Sequence, residues 1–165
     1  RKTRSTRVAL DNVSAAVDYM AREIRLGSYF RCENDAGVPS IAVADMGTMA
    51  DCAYGTGGNI LSLERAGGVL GNTGDQLVFW YDNGRLWRST DSGVTAEPLT
   101  AAELNITYFR FFVTGTGYSI AGGPADQPKV TIVMRGVSGG GKVKTQTSFS
   151  LQTTLSARTP NIPPS

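Results

Sequence analysis

From residue 143 to residue 156 the chain alternates with a period of two. Val, Thr, Thr, Phe, Leu, Thr and Leu fill the odd positions, and Lys, Gln, Ser, Ser, Gln, Thr and Ser fill the even ones. A strand with one face on a core and the other in water satisfies such a pattern, and a helix does not. The segment therefore demands antiparallel neighbours and something apolar to cover one side. Candidates precede it. Ile60, Leu61 and Leu63 form a short apolar run before Gly67-Gly68. Residues 76–81 and 85–89 flank Asp82-Asn83-Gly84, and Asn-Gly between two aromatic-rich runs is a strong hairpin signal. Residues 105–113 are β-branched and aromatic, and residues 129–135 place Val130, Ile132 and Met134 on one face. Gly139-Gly140-Gly141 reads as a hairpin loop, and Pro160, Pro163 and Pro164 end ordered structure, leaving residues 159–165 as a Pro-rich tail.

The cover is expected from the other end of the chain. Leu10, Val13, Val17, Met20 and Ile24 recur at spacings of three and four over residues 8–26, a helical stripe. Asp11, Asp18, Arg22 and Arg25 lie on the opposite side, with Asp18 one turn before Arg22 in the favourable order for an ion pair. Gly27-Ser28 supplies a stop. Between helix and strands, residues 33–58 carry five glycines and Pro39 without periodicity, a long loop with one short strand or turn near residues 41–43. A helix followed by a run of four to six strands is α+β: one long N-terminal helix packed on an antiparallel sheet whose other face is wet, in a single domain of residues 1–158.

Composition narrows function. The chain has no histidine, which removes the commonest metal ligand and general base and every Ser–His–Asp or Cys–His nucleophile. Its formal net charge of +2 announces no general polyanion binder. Cys32 and Cys52 are an even, sparse pair suited to one disulfide in an oxidising compartment, with two buried thiols as the alternative. No apolar run approaches the roughly 20 residues that span a bilayer.

Three strings carry a resemblance. Residues 19–32, reading Tyr-Met-Ala-Arg-Glu-Ile-Arg-Leu-Gly-Ser-Tyr-Phe-Arg-Cys, are followed by the Leu77-Val78-Phe79-Trp80-Tyr81 hairpin strand and by residues 149–158, Phe-Ser-Leu-Gln-Thr-Thr-Leu-Ser-Ala-Arg. In this order they resemble the type IV pilin-like superfamily, especially PilW-like minor pilins and J-type pseudopilins of type II secretion. The resemblance implies a structural subunit, not an enzyme, that primes or caps assembly of a pilus or pseudopilus. It implies a membrane-spanning N-terminal helix upstream of Arg1, residence in the bacterial inner membrane and periplasm before assembly into a surface filament, and other minor and major pilin-like subunits as partners. No cofactor, metal, nucleic acid or small-molecule substrate is expected. Asp11, Asp18, Arg22 and Arg25 are then candidates for an assembly surface, and the alternative is a surface adhesin or recognition module for a partner, glycan or DNA.

Other features carry less. Arg1, Lys2, Arg4 and Arg7 form a basic cluster that suits lipid head groups or filament packing. Arg85, Trp87 and Arg88, near Trp80 and Tyr81, come closest to the basic–aromatic interleaving of a DNA site. Asp45 with Asp51, or Asp75 with Asp82, lack the dense oxygen spacing of a loop calcium site. The glycine runs lack the strand–loop–helix context of a phosphate cradle.

Overall fold

A computed structural model describes residues 2–34, 49–52, 55–69, 71–117, 127–138 and 146–158. The helix α1 spans Lys2–Leu26. Eight strands follow: β1 (Ser28–Glu33), β2 (Ile60–Glu64), β3 (Gln76–Asp82), β4 (Arg85–Ser89), β5 (Glu97–Pro98), β6 (Leu104–Thr114), β7 (Lys129–Ser138) and β8 (Thr147–Ser156). They form two antiparallel sheets, β1-β2-β3-β4-β5 and β6-β7-β8.

This overturns the expected α+β layout of one long helix on one sheet. Among the described residues the protein is mostly β, with two sheets beside a single α-helix. The strand patterns at residues 59–64, 76–89, 105–113 and 129–156 are local, and nothing in them states which strands pair. The ladder breaks between β5 and β6, and the two sheets meet through a short bridge in which Gly58 and Phe111 exchange main-chain hydrogen bonds of 2.7 and 2.8 Å. The expectation of one wet sheet face also fails for the five-stranded sheet. Every residue of β2 and the first five of β3 are buried. Leu61, Leu63, Leu77 and Phe79 join the main core, while Ile60, Val78 and Trp80 form a second cluster with Trp87 on the other face. The run Leu-Val-Phe-Trp in β3 has no alternation, which is what a strand buried on both faces requires. In the three-stranded sheet alternation holds on β6, β7 and β8.

The main core takes side chains from α1 and from both sheets. On the helix, Val13, Ala16, Met20, Ala21 and Ile24 are buried, and Tyr19 packs edge-on against Phe79 with ring centroids 6.0 Å apart. Leu10 departs from the expected stripe: it is 44% exposed, and Val8 is 63% exposed. Ala101 N donates to Asn12 Oδ1 at 2.9 Å, and no residue from Arg7 to Asn12 is fully buried, Ala9 packing only partly against the core, so the buried face begins at Val13.

Two local signals work as their chemistry dictates. Asn83 and Gly84 have φ of 50° and 78°, the paired positive values of a two-residue hairpin turn between Asp82 and Arg85. At Gly27 the reason for glycine is space: a Cβ there would lie 2.3 Å from Leu63 Cδ1. Cys32 and Cys52 form a disulfide with Cα atoms 5.7 Å apart. Cys32 lies in β1, and Cys52 N donates to Val113 O of β6 at 2.9 Å, so the bond fastens one sheet to the other. The expected turn near residues 41–43, the glycine loop at 139–141, the start of the alternating segment at 143–145 and the tail at 159–165 lie outside the described residues.

Candidate functional site: a groove between the helix and the last strand

The chain's last strand is an edge. β8 pairs with β7 along its whole length, and on its other side it meets no strand among the described residues. Its ten residues hold no charged side chain and no proline, the devices that blunt most edges. Helix α1 runs beside it. Arg158 N donates to Arg25 O at 2.8 Å and ties the end of the helix to the end of the strand, while Gln127 Nε2 holds Arg158 O at 2.9 Å. Between them opens a groove of about 450 Å³ lined by Val17, Asp18, Ala21, Arg22, Arg25 and Leu26 of the helix and by Thr153, Leu155 and Arg158.

Helical geometry explains the helix side. Residues 17, 18, 21, 22, 25 and 26 recur one turn apart and share one flank. Its floor is apolar: Ala21 and Leu155 are 7% and 5% exposed, and Leu26 is 45% exposed. Its rim is cationic. Arg22, Arg25 and Arg158 are exposed, and none belongs to the ion pairs among the described residues, Arg31–Glu33, Arg65–Glu23 and Arg88–Glu97. The expected Asp18–Arg22 pair is absent as well, because the Arg22 guanidinium leans over the Tyr19 ring at 5.9 Å. Three guanidiniums against the one Asp18 carboxylate leave the groove net positive. Arg25 in the last turn also suits the negative end of the helix dipole.

Of the four residues expected to form an assembly surface, the structure brings Asp18, Arg22 and Arg25 together on this groove. Asp11 is exposed nearly two turns higher, about 10 Å along the axis. Thr153, Leu155 and Arg158 were missed as site residues. The alternation of the last strand signalled a sheet, but not that this strand would be its edge or that the helix would flank it.

The other candidates separate. Arg85 donates to Thr100 O at 2.6 Å through Nη2, and Arg88 pairs with Glu97 and donates to Tyr19 Oη at 2.7 Å. Trp87 stacks on Trp80 at 6.4 Å. Both arginines that came closest to a DNA patch are thus engaged within the fold. Asp75 and Asp82 sit at opposite ends of β3, and Asp51 accepts from Thr116 N and Oγ1 at 3.0 and 2.6 Å. Asp45 and the side chains of Arg1, Lys2 and Arg4 lie outside the description, and Arg7 is exposed. Among the described residues no three His, Cys, Asp or Glu side chains gather to hold a metal ion, and no helix is long and apolar enough to cross a membrane.

Comparison with protein-family models, with curated proteins and with solved structures finds no match.

Proposed function

We propose that this chain is a structural subunit of the minor pilin or pseudopilin kind, which primes or caps a pilus or pseudopilus by docking on sibling subunits. The observation that carries the reading is the groove between α1 and β8, with arginines outside any ion pair on its rim, an apolar floor and, beside it, a strand edge that no other described strand covers. Such a surface suits a protein partner. The apolar floor provides burial, the arginines select an acidic counterpart and set its register, and the open ladder offers main-chain hydrogen bonds. The helix adds a second element of the same kind, because Arg7, Val8, Leu10 and Asp11 are exposed and available to a neighbour. The three strings that resemble pilin-like proteins support the same role. The expected fold does not enter the reading.

The recognition-module alternative requires an exposed apolar or aromatic patch on the loops. Among the described residues, Val69 and Val94, at 64% and 83% exposure, stand on separate loops as single residues, which favours the groove.

The test is charge reversal of Arg22, Arg25 and Arg158 to Glu in the producing cell, with filament counts or secretion as the readout. The side chains are exposed and outside the ion pairs, so the purified variant loses only the Arg22–Tyr19 contact and the favourable Arg25 position at the helix end, about 1–2 kcal/mol together, and stays folded. Loss of filaments from a folded variant is the expected result. Normal filaments from a stable variant, or from cells lacking the gene altogether, would overturn the assignment.

A further inference from the structure

Under the loop that joins β2 to β3 lies a group of buried oxygen atoms with no hydrogen-bonding partner. Glu64 ends β2 and Gln76 opens β3; they are cross-strand partners, so their side chains leave the sheet on the same face, and Ser62 lies two residues back on that face. Ser62, Glu64 and Gln76 are only 2%, 3% and 4% exposed. Ser62 Oγ, both carboxyl oxygens of Glu64, Asp75 Oδ1 and Gln76 Oε1 are all buried without a partner. Asp75 closes a 3-10 turn over Thr73–Asp75, and its other oxygen, Oδ2, accepts from Val69 N at 3.0 Å and Asn72 Nδ2 at 3.2 Å. The Glu64 carboxyl reaches beneath the loop itself: a Cβ on Gly68 would lie 2.0 Å from Glu64 Oε1.

A carboxylate taken from water without a compensating donor is strongly destabilised, and unpartnered buried polar atoms are few in native proteins. Here five such oxygens come from four residues that adjoin one another across two strands and one turn. The Ser62 hydroxyl supplies one proton among them, and below about pH 7 the Glu64 carboxyl holds a second toward Asp75. The nearest cation in sequence, Arg65, is turned away to Glu23 at 3.0 Å. Oxygen facing oxygen is satisfied by a cation, and a set without nitrogen or sulfur selects a hard one. Calcium accepts carboxylate, carboxamide and hydroxyl oxygens in irregular arrangements, whereas magnesium requires a near-ideal octahedron and keeps its waters.

We propose that Glu64 and Asp75, with Gln76 Oε1 and Ser62 Oγ, bind a calcium ion that fastens the β2–β3 loop to the five-stranded sheet. The site is independent of the groove and of the filament reading. With two carboxylates instead of three or four, its dissociation constant falls on the order of 10⁻⁴–10⁻³ M, the range of extracellular modules. Carboxylate ligands must be deprotonated to hold the ion, so binding weakens as pH falls.

The experiment uses the oxidised protein and calcium chloride. Thermal unfolding at pH 8 in EDTA and in excess calcium should differ by about 3–5 °C for a site of millimolar affinity. Calorimetric titration with calcium should show one site that weakens from pH 8 to pH 6. Glu64→Gln, nearly isosteric and uncharged, should remove both effects. A wild-type protein with neither a shift nor binding heat would overturn the proposal and leave a proton shared by the two carboxyls. Binding that persists in Glu64→Gln would overturn it in favour of another locus. The wild-type titration stands by itself should the variant fail to fold.

Discussion

Glu64 makes the stability of this protein depend on pH in the direction opposite to that of most carboxylates. Its side chain is 3% exposed, and burial first, then the Asp75 carboxylate, raises its carboxyl from an ordinary value of 4.5 to about 7. Below pH 4.5 both folded and unfolded chains hold the proton, and the contribution to stability is complete. As pH rises through the window the unfolded chain releases the proton while the folded chain retains it, so stability falls, and it levels off once the folded carboxyl also ionises above about 7. Each pH unit between the two values is worth about 1.4 kcal/mol. Between pH 5 and pH 8 in EDTA the loss therefore amounts to about 2.5 kcal/mol, or roughly 5–10 °C in melting temperature for a chain of this size. Asp91 does not blur the window. Hydrogen bonds from Ser89 Oγ and from the Thr95 main chain hold its carboxyl below the usual 3.8, and the stability it lends is lost only as pH falls through that lower region. The assay is urea or thermal unfolding of wild type and Glu64→Gln at half-unit pH steps. The variant should be flat where the wild type declines, and it should be the more stable protein at pH 8. A constant difference between the two from pH 5 to pH 8 would refute the argument, because it would mean that Glu64 titrates alike in both states.

Two further predictions concern the scaffold. Reducing Cys32–Cys52, which closes a separation of 20 residues, should lower stability by about 3 kcal/mol, and an unchanged urea midpoint in reductant would contradict the chain-entropy estimate. Ile24→Ala, at a fully buried position, should cost about 2–5 kcal/mol, whereas Leu10→Ala, at 44% exposure, should stay within about 0.5 kcal/mol; equal effects from the two would show that the packed face extends above Val13.

The helix, the Asn-Gly hairpin and the alternating last strand were legible because each rests on chemistry within a few residues of itself. Even within the helix the reading stopped at what lay opposite. Leu10 carries the same periodic signal as Met20, yet one is exposed and the other fully buried, since only the body beneath decides where a stripe finds cover. In the groove the helical residues were readable as one flank, but Thr153, Leu155 and Arg158 arrive from more than a hundred residues away. Of the buried oxygens only that of Asp75 belonged to a residue the sequence singled out, and there paired with the wrong partner, Asp82; Ser62, Glu64 and Gln76 left no signal, because a polar residue in a strand reads the same whether it faces water or another strand's carboxamide.

By itself the sequence determined the helix and six of the eight strands, missing β1 and β5, as well as where the tight turn falls and that histidine-dependent chemistry is closed to this chain. Those properties follow from side-chain periodicity, from the φ preferences of Asn and Gly, and from composition. Only the tertiary structure decided that eight strands divide into two sheets, that β2 and most of β3 are buried on both faces, that Cys52 joins one sheet to the other, and that, among the described residues, β8 has a strand on one side only, beside three arginines outside any ion pair. Strand pairing is chosen by the packing of distant apolar faces and by loop closure, and that choice fixes which polar groups are exposed for a partner and which are buried against each other.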